Sequence, residues 1–239
     1  MFYRLVISPA QNQDEQIILF PQQQHYLNRV LRLKNGARFV AIDGQGKSWL
    51  AELRGTSAQI LEPLVESTEL SLAVTLIVAL PKGNGFDEVV RCCTELGVTT
   101  LMPIMSDRTL LKPSPHKLER WRKIAQEAAE QSERQIVPNI VEPIDFTPVI
   151  SLVSNTDTDC YICVARRKVN HLLECLRHRS RSNLVIATGP EGGWTPEEVE
   201  KAIAAGFQPV SLGTRILRAI TAPIVALSLA VATVENVEG

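Results

Sequence analysis

Positive charge in excess is what this sequence most plainly lacks. Its 25 lysines and arginines stand against 26 aspartates and glutamates, so the broad electrostatic footprint of a nucleic-acid binder is missing and any such role must rest on local clusters. Long apolar runs are missing as well. The longest, residues 72–80 and 224–234, fall well short of the roughly 20 residues that a membrane span needs. The start, Met1-Phe2-Tyr3-Arg4, has no basic stretch leading into an apolar core and a cleavage site. A soluble, cytoplasmic protein with no membrane partner is therefore expected. Cysteine is scarce and odd in number: Cys92, Cys93, Cys160, Cys163 and Cys175 make no disulfide framework and read as reduced thiols. Cys160 and Cys163 do form a Cys-x-x-Cys, but they lie in a stretch that reads as a buried strand, where positions three apart face opposite sides. Core packing is expected there in preference to zinc or redox chemistry, and no metal site is expected. Low-complexity stretches and internal repeats are absent, which leaves an ordinary globular chain with 45% apolar and 21% charged residues.

Within 239 residues there is room for one large domain, or a large one with a small companion. Residues 1–70 read as the small one, because their extended segments are short and joined by turns. Segments 38–43 and 47–53 flank Gly44-Gln45-Gly46, a loop suited to a β-hairpin, and 58–64 is a third strand. Between Ile17-Ile18-Leu19-Phe20 and Arg38 sits one helix, opened by Pro21 and closed near Gly36, with Leu27, Val30 and Leu31 at core spacing. These elements predict a small barrel holding one helix. From Ser71 the pattern turns to alternating strand and helix, which predicts a parallel sheet wrapped by helices over 71–239. Its strands are expected at 72–80, 100–105, 136–141, 160–165, 184–188 and 209–212. The helix at 118–132 puts Leu118, Trp121, Ile124, Ala125, Ala128 and Ala129 on one stripe. Thr195, Pro196 and Glu198 form a capping box that starts another helix, and Gly206 ends it.

Open parallel sheets bind ligands beyond the carboxyl ends of their strands, where loops and helix starts present free backbone donors. Two loops answer to that position. One is Thr188-Gly189-Pro190-Glu191-Gly192-Gly193-Trp194, after an apolar strand; the other is Leu212-Gly213-Thr214-Arg215-Ile216-Leu217-Arg218-Ala219-Ile220-Thr221-Ala222, before the last helix. Glycines let the backbone adopt positive φ and approach a ligand closely, although a tight structural turn uses them equally well. The first loop has no Lys-Ser/Thr after its last glycine and is not Gly-x-Gly-x-x-Gly, so neither a nucleotide P-loop nor a dinucleotide fingerprint is present.

These two loops, Gly189-Pro190-Glu191-Gly192-Gly193 and Leu212-Gly213-Thr214-Arg215-Ile216-Leu217-Arg218 followed by Thr221-Ala222, resemble those of the RsmE family of 16S rRNA uridine-N3 methyltransferases. Pro81-Lys82-Gly83, Glu95-Leu96-Gly97-Val98, Glu130-Gln131-Ser132 with Arg134 and Val137-Pro138, and His25 with Val30-Leu31-Arg32 also match family positions, so the resemblance covers essentially the whole chain. It implies an α/β fold: a small PUA-like, RNA-binding β-barrel over 1–70, then a SPOUT-type parallel sheet over 71–239 whose C-terminal segment forms a trefoil knot. It further implies a homodimer, S-adenosylmethionine as cofactor, and 16S rRNA or the small ribosomal subunit as partner. By carry-over, Thr188, Gly189, Pro190, Glu191, Gly192, Gly193, Leu212, Gly213, Ile216, Leu217 and Thr221 would hold the cofactor.

Methylating a ring nitrogen needs loss of its proton and alignment with the donor, so no catalytic cysteine is required. Arg215 and Arg218 are the candidates for stabilising charge on the uracil or fixing a phosphate beside it, against the plainer reading of a surface ion pair. Glu191 could orient substrate, act as base, or cap a loop through backbone amides. For RNA, His25, Arg29 and Arg32 fall on one helix face, and no acidic residue interrupts Arg29, Arg32, Lys34 and Arg38; Lys82 and Arg134 join them from the family motifs. A second basic cluster holds Arg166, Arg167, Lys168, Arg177, Arg179 and Arg181, with His171 and His178. The chain departs from the family at Ile220, where Glu is usual, at Gly85-Phe86 in place of Lys-Met, at Cys92 in place of Lys, and at Ile136 in place of Arg. These losses of polarity motivate a rival expectation, a non-catalytic or retargeted RNA-binding assembly factor on the same fold.

Overall fold

The computed structural model describes residues 2–65, 67–110, 113–153 and 157–235. The chain divides into two compact units, Met1–Glu69 with Gln126–Val137, and Leu70–Ala125 with Pro138–Gly239.

In the first unit the strands are β1 (Arg4–Val6), β2 (Asn12–Gln13), β3 (Gln16–Ile18), β4 (Arg38–Ile42), β5 (Ser48–Arg54) and β6 (Ser57–Leu64). They form one sheet in the order β1-β4-β5-β6-β3-β2, antiparallel except for the β1/β4 pair. The β4–β5 hairpin turns where glycine was expected to turn it. Gly44 and Gly46 sit at φ 71° and 109°, and the Asp43 carboxylate accepts the N–H groups of Gln45 and Lys47 at 2.8 and 2.9 Å. Leu5, Ile17, Leu27, Phe39, Leu53 and Ala58 close the core beneath.

The helix differs from expectation in one respect. Pro21 opens α1 (Pro21–His25), but the chain then widens into a π-helical turn over Tyr26–Val30, and Arg32 stands at φ 55°. The wider turn shifts the side-chain register. Leu27 therefore stays buried, whereas Val30 is 59% exposed and leaves the core stripe assigned to it.

The second unit contains β7 (Ala73–Ala79), α2 (Gly85–Glu95), β8 (Thr100–Met105), α3 (Pro115–Gln131), β9 (Asn139–Ile140), β10 (Ile144–Asp145), α4 (Phe146–Val153), β11 (Thr158–Cys163), α5 (Leu172–Arg177), β12 (Asn183–Thr188), α6 (Pro196–Ala204), β13 (Gln208–Val210) and α7 (Thr221–Glu235). From Gln126 onward α3 counts with the first unit. The strands are all parallel, ordered β10-β8-β7-β12-β11-β13, with β9 also on β8. Strands such as β7, AVTLIVA, are apolar nearly throughout because helices cover both faces. The fifteen-residue α7 packs against β7 and β12. Residues 136–141 yield only the two-residue β9, with Pro138, which cannot donate to a ladder, just before it.

Two local readings hold in detail. The Thr195 hydroxyl accepts the Glu198 N–H at 3.2 Å, the Glu198 carboxylate accepts the Thr195 N–H at 2.8 Å, and Gly206 follows α6 at φ 90°. Trp121, Ala125, Ala128 and Ala129 of the expected stripe are buried. Trp121 donates to Asp87 at 3.1 Å and meets Phe86 edge-on at 4.6 Å.

Candidate functional site

The centre of the sheet sets the site. From β7 the chain builds outward through β8 to β10 on one side, then crosses over to place β12 and β11 on the other. Neighbouring strands thus run on in opposite directions from the β7/β12 pair, and a crevice opens at their carboxyl ends. The loop after β12 lies there. A cavity of about 430 Å³ is lined by Gly189–Gly193 from this loop, by Cys163–Arg167 after β11, by Arg108 after β8, and by residues between Leu212 and Ala222.

Backbone geometry explains the glycines. Gly193 and Gly213 sit at φ 65° and 110°, where a Cβ is strained. At Gly189 and Gly192 space is the reason: a Cβ would come within 3.1 Å of the Trp194 indole and 3.2 Å of the Arg108 side chain. Trp194 locks the loop to its neighbour strand by donating to the Cys163 carbonyl at 3.0 Å and stacking on Phe146 at 4.5 Å.

Further bonds tie the loop to the segments around it. The Arg108 guanidinium donates to the Gly192 carbonyl at 2.7 Å. The Thr195 hydroxyl donates to Asp107 at 3.2 Å, and the Asp107 N–H donates to Glu198 at 2.9 Å. Glu191 accepts the backbone N–H of Lys82 at 2.9 Å, so of the roles open to it, capping a neighbouring loop is the one this geometry supports. Arg108 and Asp107 escaped the sequence reading, and Trp194 was named only as the end of the glycine loop, because nothing local marks a residue whose partner is remote in the chain.

Of the residues expected around the cofactor, Gly189, Pro190, Glu191, Gly192, Gly193, Leu212, Gly213, Ile216 and Leu217 line the cavity, as does Arg215. Thr188, Arg218 and Thr221 do not. Thr188 ends β12 fully buried, with a hydroxyl that has no hydrogen-bond partner among the described residues. The Arg218 carbonyl accepts the N–H groups of Thr221 and Ala222 at 2.9 and 3.0 Å and so begins α7. Both Arg215 and Arg218 are exposed. Cys163 faces the cavity, but burial pushes its thiol up to about 12, and burial also raises Cys92 and Cys93. None of these thiols is a ready nucleophile at neutral pH. Among the described residues no group of His, Cys, Asp or Glu is arranged to hold a metal.

The residues expected to meet RNA divide. His25, Arg29, Arg32 and Lys82 are exposed, although the π turn and the left-handed Arg32 break the single helix face on which the first three were placed. Arg134 is a correction. Its side chain is 4% exposed and grips Glu69 through Nε at 3.0 Å and a terminal nitrogen at 2.7 Å, so its charge is spent inside the first unit and is not presented to a phosphate. Two of the family departures have a visible setting. Ile220 lies against Gly85, where an added Cβ would approach Ile220 Cδ1 to 2.7 Å, and Ile136 bridges to Gly44 in the first unit.

Residues 68–231 match a family described as an RNA methyltransferase domain, and residues 21–61 match an RNA methyltransferase PUA domain. A Ribosomal RNA small subunit methyltransferase E from Synechocystis sp. is 50% identical over 99% of this chain and 79% of its own length. Its namesake from Bacillus subtilis is 31% identical over 87% of this chain and 86% of its own length. Among solved structures, a Ribosomal RNA small subunit methyltransferase E from Neisseria gonorrhoeae bound to S-adenosyl methionine superposes with a TM-score of 0.87, at 32% identity, covering 95% of this chain and 96% of the other.

Proposed function

Since this chain belongs to the ribosomal RNA small subunit methyltransferase E family, we propose that it transfers a methyl group from S-adenosylmethionine to N3 of a uridine in the 16S RNA of the small ribosomal subunit. One observation carries the proposal: the glycine loop after β12 and the segment before α7, well separated in sequence, wall the same cavity.

The residues present fit the cofactor. A cavity of about 430 Å³ lies within the roughly 300–1,000 Å³ usual for small-molecule sites. Gly189, Gly192, Gly193 and Gly213 offer bare backbone, and Leu212, Leu217, Ala219 and Ala222 offer apolar wall. S-adenosylmethionine bound there supplies a methyl carbon activated by its sulfonium. The chain's own part is to exclude water, align the uracil and hold charge. Held by the Gly189–Gly193 loop and the segment from Leu212 to Leu217, the cofactor would supply that methyl carbon to uracil N3, whose proton would leave to solvent. Arg215 on the cavity wall and Arg218 nearby in sequence supply positive charge for the uracil anion or the adjoining phosphate. Glu191 holds the Lys82 loop in place. His25, Arg29, Arg32 and Lys82 supply exposed contacts for RNA.

The same reading takes residues 1–70 as an RNA-binding PUA-like domain and 71–239 as the catalytic domain. It takes the C-terminal segment as a trefoil knot, supported by α7 packing on the central strands after the chain has visited the sheet edge at β13. The protein acts as a homodimer in the cytoplasm; no helix among the described residues is long and apolar enough to cross a membrane. A non-catalytic role is disfavoured because Ile220 and Gly85, two of the departures that suggested it, pack together outside the cavity lining. The test is to incubate the chain with methyl-labelled cofactor and small subunits lacking the modification. Label is expected at N3 of a uridine in 16S RNA, and the proposal fails if no label enters RNA.

A further inference from the structure

Charge on the cavity wall is lopsided. Arg108, Arg166, Arg167 and Arg215 line it, and Glu191 is the one carboxylate among the lining residues. Glu191 is already engaged by the Lys82 N–H, and Arg108 by the Gly192 carbonyl. Among the described residues Arg167 reaches only Glu200, at 3.8 Å between two well-exposed side chains, a pairing of little strength. Arg166 and Arg215 make no ion pair among the described residues. S-adenosylmethionine does not account for this surplus: its sulfonium and ammonium outnumber its carboxylate, so it is itself a cation. A polyanion does.

The backbone at Arg166 points the same way. After β11 the Val164 N–H donates to the Val210 carbonyl at 2.9 Å; on the return, Ser211 donates to Asn170 and Leu172 donates to Ser211, each at 2.9 Å. Both ends of the intervening loop are thereby fixed against the β13 end. At its tip Arg166 is held at φ 59°, a left-handed conformation that a long side chain tolerates poorly and that glycine would accept freely. Arg166, Arg167 and Lys168 are all exposed there. Strain retained at the rim of a pocket, on a residue with no internal partner, is a mark of a functional position.

We propose that Arg166 and Arg167, with Lys168 beside them, form a phosphate-binding site that grips the RNA backbone next to the nucleotide being methylated. The site rests on the methyltransferase reading above and adds to it a second RNA contact, on the loop after β11. Arg166→Gly is the informative variant, since glycine suits the backbone while the guanidinium is lost. Binding of small-subunit RNA is measured over a range of salt, together with calorimetric binding of S-adenosylmethionine. For Arg166→Gly the RNA dissociation constant is expected to rise about tenfold, and the slope of log affinity against log salt to shrink by about 1. Cofactor affinity should fall far less, by under about threefold, because S-adenosylmethionine is itself a cation and draws no charge stabilisation from the Arg166 guanidinium on the cavity wall. Arg166→Lys, which keeps the charge, should recover most of the RNA affinity. Unchanged RNA affinity and salt slope in Arg166→Gly, with a normal wild type, overturn the site alone. Loss of cofactor binding in step with RNA binding also overturns it, by showing that the loop shapes the cofactor pocket. A wild-type chain that transfers no methyl group to RNA instead removes the parent reading.

Discussion

Glu191 shows how far residue chemistry can be pressed. It is the one carboxylate on the cavity wall, which makes it the obvious candidate for taking the uracil proton, yet its oxygen accepts a backbone N–H from Lys82 at 2.9 Å. A glutamine presents the same acceptor oxygen without the basicity. Glu191→Gln is therefore expected to keep its single-turnover methylation rate within about threefold of the wild type, since a positioned general base is worth about 10²–10⁴ in rate and a loop cap is not. A loss of 100-fold or more in that measurement would reassign Glu191 as the base. At this scale the sequence was informative where a residue's need is intrinsic. Gly193 and Gly213 have positive φ for the reason anticipated, and burial raises the Cys93 and Cys163 thiols. It was silent on Arg108 and on the role of Trp194, whose partners lie 84 and 31 positions away.

Elements were legible where their ends are chemically marked. Pro21 starts α1, and the Thr195–Glu198 box starts α6. The π turn after His25 carries no such mark, which is why Val30 was put inside and lies outside. The segment following α3 teaches a related lesson, because an arginine read for its charge is used for its fork. Glu69 receives the Arg134 guanidinium and also the N–H groups of Gln135 and Ile136, both at 2.9 Å. One carboxylate thus fixes three successive residues. Arg134→Ala leaves that carboxylate largely buried and without its cation, a loss of about 3–5 kcal/mol for pairs of this type. Urea unfolding should show a fall of that order. The RNA affinity of the fraction that stays folded should match the wild type, and a specific fall in that affinity at unchanged stability would restore Arg134 to the RNA surface.

For the whole molecule, periodicity predicted a parallel sheet wrapped by helices, and the sheet is there. It could not predict the order β10-β8-β7-β12-β11-β13, because strand neighbours are chosen by long-range packing that no window of sequence contains. That order decides where a ligand can bind: it places the loop after β12 at the crevice, and it requires the segment before α7 to return to the same place. A cavity assembled from such distant pieces is made only by the folded chain, so its ligand binds the native state and not the unfolded one. Linkage then fixes the outcome. At a cofactor concentration 100 times its dissociation constant, S-adenosylmethionine should stabilise the protein against urea by about 2.7 kcal/mol. The gain should follow the logarithm of concentration, and alanine at Gly193, which sits at φ 65°, should weaken it. No stabilisation by S-adenosylmethionine at any concentration reached would mean that the crevice holds no sulfonium donor, and the assignment of the two loops to methyl transfer would have to be abandoned.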